Sequence, residues 1–169
     1  MDIATIDAFG KSSGIYAFMN TAWAWPFVEA LHYTGLALLL GTVGLFDLRV
    51  LGVARGVSMA ALHKFVPIGV GAYLISVTTG AMFFYAAWDQ YLYNPAFQLK
   101  MLCMAIAGLN MVMFYATTAR AVKSLSPYGQ ASIAAKCFAA VSLLSWTSVI
   151  VFGRIITMFR PPYHSCPWC

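Results

Sequence analysis

The run from Trp23 to Gly52, WAWPFVEALHYTGLALLLGTVGLFDLRVLG, constrains this chain more than any other stretch. It opens on aromatic residues, stays apolar for a bilayer's width, and closes on the charged Asp47-Leu48-Arg49. An α-helix rises ~1.5 Å per residue, so a run of this length crosses the ~30 Å hydrocarbon core of a membrane. Its first half holds Glu29 and His32, two ionisable groups that lipid does not tolerate without partners. The stretch reads as a membrane helix with a polar site built into it.

The rest of the chain follows the same pattern. Of 169 residues, 62% are hydrophobic and 9% charged. A soluble domain of this size cannot bury so much apolar surface. The expected fold is all-α: a polytopic membrane protein, an antiparallel four-transmembrane-helix bundle with an N-terminal interfacial helix. The spans fall at about 24–46, 65–87, 97–119 and 137–158, inside a transmembrane domain from 23 to 159. Residues 1–22 hold Asp2 and Asp7, lack a basic start and a cleavage-site pattern, and so do not read as a signal peptide. Ile3, Ile6, Phe9, Ile15, Phe18 and Met19 give that segment an apolar face suited to the membrane surface. Leu51 to His63 is a loop with short amphipathic character. Trp88 to Pro95 is a tight aromatic loop, and Ser126-Pro127-Tyr128-Gly129 is a turn signal. Residues 160–169 form a cysteine-containing tail that Pro161 and Pro162 prevent from continuing the last helix.

Charge sets the expected orientation. Arg49, Arg55, Lys64, Arg120, Lys123 and Lys136 fall on one side. Lys11, Lys100 and Arg160 fall on the other, with Arg154 just inside it. The positive-inside rule makes the first side cytoplasmic and both termini extracytoplasmic. Trp23, Trp25, Trp88, Tyr91, Tyr93, Tyr163 and Trp168 then form an aromatic belt on the outer side. The net charge of +5 is scattered over loops and helix ends, a pattern that suits anionic lipid and excludes a nucleic-acid surface.

Glu29 and His32 are three residues apart and share a helix face. His32 lies about eight residues into its span, ~12 Å below the outer edge. Antiparallel packing brings Lys100, at the start of the third helix, and Arg154, near the end of the fourth, to a similar depth. One reading of Glu29, His32, Lys100 and Arg154 is a cofactor site. His32 would ligate haem iron or accept a proton from quinone, and Lys100 or Arg154 would hold haem propionates or polarise a carbonyl. The plainer alternative is a Glu29–Arg154 ion pair locking two helices, with His32 as a hydrogen-bonded core residue. His63 sits at the other face, ~20 Å away along the membrane normal, so it cannot share an iron with His32. Asp47 and Arg49 read as a helix-end anchor with local ion pairing. Asn110, mid-span, is interhelical glue or a ligand contact. Small residues at Gly35, Gly41, Gly44, Gly69, Ala72, Ser76, Gly80, Ala105 and Gly108 allow close helix packing, and equally leave room for a flat ring.

The tail offers His164, Cys166 and Cys169, a set that suits a copper or zinc ion, or a disulfide between the two cysteines. It is not a c-type haem site, because no histidine follows the second cysteine. Cys103 and Cys137 read as small core residues. The chain contains no Walker motif, no Ser/His/Asp arrangement and no metalloprotease signature.

Several blocks carry a resemblance. Glu29-Ala-Leu-His-Tyr-Thr-Gly-Leu-Ala-Leu-Leu-Leu-Gly-Thr, Phe46-Asp-Leu-Arg-Val-Leu-Gly52, Asn94-Pro-Ala-Phe-Gln-Leu-Lys-Met101, Ala107-Gly-Leu-Asn110 and Gly153-Arg-Ile-Ile156 are similar to a family of small four-helix bacterial inner-membrane proteins. The match runs from about Trp25 to Ile156 and implies the fold and the bacterial inner membrane, with no particular activity. More distantly, His32 ahead of Gly35 resembles the first helix of cytochrome b561-like and copper-resistance-D-like membrane proteins, which implies b-type haem. Those proteins often carry a histidine near the cytoplasmic end of the third helix, where this chain has Tyr115.

The resulting expectation is a membrane electron-transfer subunit that binds haem b and exchanges electrons with quinone or a periplasmic redox partner. Two alternatives stay open. One is a non-catalytic accessory subunit, as a homo-oligomer or within a larger membrane complex. The other is a metal-handling protein acting through the His164/Cys166/Cys169 tail.

Overall fold

The computed structural model describes residues 3–126 and 128–159. Among the described residues every regular element is a helix. Two short helices come first, α1 (Ile3–Ser12) and α2 (Ile15–Met19). The long helices are α3 (Ala24–Leu51), α5 (Val66–Ala86), α7 (Pro95–Thr117) and α9 (Ile133–Ile155). Between them lie the short α4 (Met59–His63), α6 (Trp88–Tyr91) and α8 (Ala119–Lys123), and a 3-10 turn at Ile156–Phe159 follows α9. Four stretches are long and apolar enough to cross a membrane: Ala24–Leu51, Met59–Ala86, Pro95–Thr117 and Ile133–Phe159.

Local chemistry sets the helix ends. Gly52 takes φ 95°, and its N–H donates to the Leu48 and Arg49 carbonyls. Glycine enters this left-handed region without a Cβ clash, so α3 stops there, five residues past the expected Phe46 boundary. Ser58 and Ser132 cap α4 and α9, accepting from the Ala61 and Ala135 N–H groups. The Ser132 cap starts α9 four residues before the expected Cys137. Asn94 caps α7 through the Ala96 and Phe97 N–H groups, just ahead of Pro95.

The long helices run antiparallel in spatial order α5, α3, α9, α7. The α3–α5 and α7–α9 seams are extensive and the α3–α9 seam smaller, while α5 and α7 scarcely touch. Small residues make the α3–α5 seam. A Cβ on Gly35 would lie 2.5 Å from Ser76 Oγ and 3.0 Å from the Ala72 carbonyl oxygen. One on Gly69 would lie 2.8 Å from Thr42 Oγ1. Most of the small-residue stripe therefore serves backbone approach and leaves no slot for a flat ring. The polarity is that of a membrane protein. Leu38, Leu74, Leu102, Leu109, Val112 and Leu144 face outward, while Ser76, Thr79, Ser142 and Ser145 are buried.

Two interhelix clasps close the ends. At the end where α3 stops, Arg49 is 1% exposed. Its Nε donates to the Val57 carbonyl at 2.7 Å, its Nη2 to Ser126 at 3.2 Å and its Nη1 to Gly129 at 3.4 Å. The helix-end anchor expected here exists, but it works on loop carbonyls. Asp47, two residues earlier, points to the opposite side of α3, and among the described residues no Asp47–Arg49 ion pair forms. At the other end Asn94, 2% exposed, donates from Nδ2 to the Ile156 carbonyl at 3.0 Å and so ties the start of α7 to the end of α9.

The N-terminal helices sit across the Trp23 end. Met19 is fully buried against Val28, Met82 and Phe83. Phe9 meets Tyr85 at 4.8 Å between ring centroids, while Ile3, Tyr16 and Phe18 stay exposed. The segment is thus docked on the bundle and keeps an apolar outer side. Lys11 donates to Asp7 at 2.6 Å, which holds the Asp7 carboxyl below its usual range.

Replacing Arg49 tests the first clasp. Arg49→Met removes three charge-assisted hydrogen bonds to loop carbonyls and should cost about 2–4 kcal/mol, read from denaturant unfolding in detergent. Arg49→Lys, which keeps one charge but no fork, should cost less. Equal stability of both variants with the parent would contradict the clasp.

Candidate functional site

His32 is half-buried on α3 and faces α5. Its Nδ1 lies 2.7 Å from Thr79 Oγ1, and Thr79 itself is 4% exposed. The Thr79 hydroxyl donates to the Ile75 carbonyl at 2.7 Å, with Ser76 O at 3.2 Å. A hydroxyl has one proton to give. We assign that proton to a helix carbonyl, so that Thr79 Oγ1 accepts from His32, Nδ1 carries the ring hydrogen and Nε2 keeps its lone pair. Phe83 stands edge-on to the ring at 5.8 Å. Gly80 packs against the near side of the ring, where a Cβ would already stand in van der Waals contact with Cε1 at 3.5 Å. The imidazole is thus fixed in position and tautomer, with one basic nitrogen available.

Lys100, on the second turn of α7, is the cation whose field reaches the His32 ring. Its Nζ passes over α9 at Gly153, 3.7 Å from where a Cβ would stand. A larger residue at 153 would crowd that path.

The expected four-residue cluster is only half assembled. His32 and Lys100 lie in the interior at the Trp23 end. Glu29 and Arg154 are both exposed, and among the described residues neither takes part in an ion pair. The Glu29–Arg154 lock is therefore absent; the ion pair found among the described residues is Lys11–Asp7. Their exposure follows from register: Glu29 flanks Val28, which turns inward, and Arg154 precedes the inward Ile156 by two residues.

The remaining candidates divide. His63 stacks on Phe46 with centroids 6.4 Å apart. Phe46 lies fourteen residues beyond His32 on the same helix, ~21 Å at 1.5 Å per residue, so the two histidines are far apart. Asn110 donates to the Phe138 carbonyl at 3.0 Å and is interhelical glue between α7 and α9. Cys103 is half-buried, but Cys137 is exposed on the outer face of α9 rather than in the core. His164, Cys166 and Cys169 lie outside the described residues. Among the described residues no group of three or more His, Cys, Asp or Glu side chains is placed to hold a metal ion.

A second polar feature was not singled out by sequence. Between the four long helices, at the Arg49 end, lies a partly open cavity of about 310 Å³. Asp47 reaches it from α3 and is 5% exposed. Thr79 was likewise missed. Its signal was present: a hydroxyl three residues after Ser76 in an otherwise apolar helix marks an inward polar face.

No family model, curated protein or solved structure matches this chain.

The tautomer of His32 is directly testable. ¹⁵N NMR of the ring should show Nδ1 protonated and Nε2 bare, assigned by loss of the signal in His32→Gln. Thr79→Val should produce a tautomer mixture and cost about 1–2 kcal/mol of stability. An Nε2–H ring in the parent would overturn the assignment.

Proposed function

We propose that this chain is an electron-transfer subunit of the bacterial inner membrane, in which His32 would hold the iron of b-type haem. The observation that carries the reading is the His32–Thr79 hydrogen bond. Metal-ligating histidines hold one ring nitrogen in a fixed hydrogen bond and present the other to the metal, and Thr79 leaves His32 in that state. The residues that would serve the group are the His32 imidazole nitrogen, for its iron, and the Lys100 ammonium, whose field reaches that ring, for a carboxylate. When bound, haem supplies a one-electron carrier within the membrane.

The chain's own residues do the rest. Thr79 fixes the ring plane through a hydroxyl that is itself held to the Ile75 carbonyl. Phe83 limits rotation about the ring axis and keeps water from its edge. Lys100 places a positive charge beside the ring, which favours uptake of an electron over its loss. Quinone or a periplasmic protein is the exchange partner on this reading. His32 lies in the half of the bundle nearer the Trp23 end, the side from which either would approach on this reading.

The test is an absorption spectrum of the full chain, purified after expression with haem precursors supplied. The expected result is a Soret band and a pyridine haemochrome, both abolished in His32→Ala. Thr79→Val should weaken haem affinity by about tenfold or more. Absence of a Soret band under haem-replete conditions rejects the proposal, and full haem content in His32→Ala rejects the ligand assignment.

A further inference from the structure

The cavity at the Arg49 end belongs to none of this chemistry. Its mouth lies where α5 and α7 leave each other without packing. Val70 and Tyr73 on one lip and Met111 and Tyr115 on the other are exposed, so the opening faces the bilayer and not an aqueous loop. At about 310 Å³ it falls at the lower end of small-molecule sites, ~300–1,000 Å³.

Its chemistry is one-sided. Asp47 is the acid among its lining residues, and no lysine, arginine or histidine joins it. The Ser142 hydroxyl approaches the carboxylate, yet among the described residues Oδ2 has no hydrogen-bond partner although it is fully buried. A buried acceptor left without a partner is costly. Around it stand connected aromatic rings. Phe46 meets Phe114 edge-on at 5.8 Å, Phe114 meets Phe138 at 6.2 Å, and Tyr73 meets Trp146 at 6.2 Å. Ring faces attract cations, above all those too bulky to be well hydrated. Lys123 stands over the Tyr115 ring at the lip, 5.8 Å from its centroid, but no base lines the cavity itself; a free carboxylate oxygen and aromatic walls together select a positively charged group carrying apolar substituents.

We propose that this cavity is a binding site for organic ammonium cations that enter from the bilayer between α5 and α7, with Asp47 as the counter-ion. The proposal stands apart from haem binding at His32, which lies at the other end of α3. A membrane-dissolved alkylammonium and the amine head of a lipid share the recognised chemistry. Asp47 is four residues from the end of α3, ~6 Å from its terminus, so both reach it.

The test uses the full chain in lipid-free detergent and benzyltriethylammonium as the probe, followed by isothermal titration calorimetry. Saturable binding is expected for the parent. Asp47→Asn should weaken it by about tenfold or more, because the charge-assisted contact is lost. Gly108→Leu is a second, independent variant. Gly108 lines the cavity and its Cβ would meet nothing within 4 Å, so the variant should fold normally and abolish binding by filling the space. Repeating the titration in nanodiscs of phosphatidylglycerol, with and without phosphatidylethanolamine, separates the sources. Competition by the ethanolamine lipid assigns the site to a lipid amine, and unchanged binding assigns it to a free cation. Parent-like binding in both variants overturns the proposal, as does equal affinity for the uncharged isostere of the probe. Haem content plays no part in the readout, so failure here and failure at His32 are separable.

Discussion

A buried guanidinium holds one end of this bundle together. Arg49 collects the carbonyls of Val57, Ser126 and Gly129, which belong to two different connections. Those segments cannot satisfy their carbonyls by regular helix bonding, and this close to hydrocarbon an unmet carbonyl is expensive. A planar fork with five N–H groups reaches carbonyls on both connections at once. The α3–α9 contact, and with it the union of the two helix pairs, depends on that closure. Asn94 performs the matching task at the Trp23 end with a single amide, capping one helix and gripping the end of another.

Between these clasps the helix seams differ in kind. The α3–α5 seam relies on absent side chains: Gly35 against Ser76 and Ala72, and Gly69 against Thr42. Close backbone approach is what places Thr79 within 2.7 Å of His32, so the hydrogen bond that fixes the imidazole is a product of the seam. Toward the Arg49 end, α5 and α7 scarcely meet, and there Asp47 and its aromatic neighbours are left with space. One helix thus carries two polar positions with opposite surroundings. His32 is tightly partnered, and Asp47 has an oxygen with nothing to accept from among the described residues.

Much of the architecture was legible in the sequence. Apolar run length is a direct measure of bilayer thickness, so the four spans and the short amphipathic pieces could be read with errors only at their ends. Those errors trace to Gly52 and Ser132, whose capping geometry extends α3 and α9 beyond the hydrophobic pattern. Depth was also legible, because antiparallel order alone puts His32 and Lys100 at one end and His63 at the other. Facing was not. Glu29 and Arg154 have the right depth and point away from the interior, since helix rotation is set by packing that hydropathy does not encode. The same limit hid Thr79 as the partner of His32, and hid the difference between Arg49 and Asp47, which look like one charged helix end and do unrelated work.

The spatial order α5, α3, α9, α7 also bears on how the chain is made. Each large seam joins helices adjacent in sequence, α3 with α5 and α7 with α9. Each is a helical hairpin that completes its main packing from local contacts, the kind that form fastest. The first hairpin can leave the insertion machinery assembled, with His32 already bonded to Thr79, before α7 is synthesised. The smaller α3–α9 seam spans the greatest sequence distance and forms last, as two finished hairpins dock side by side in the bilayer.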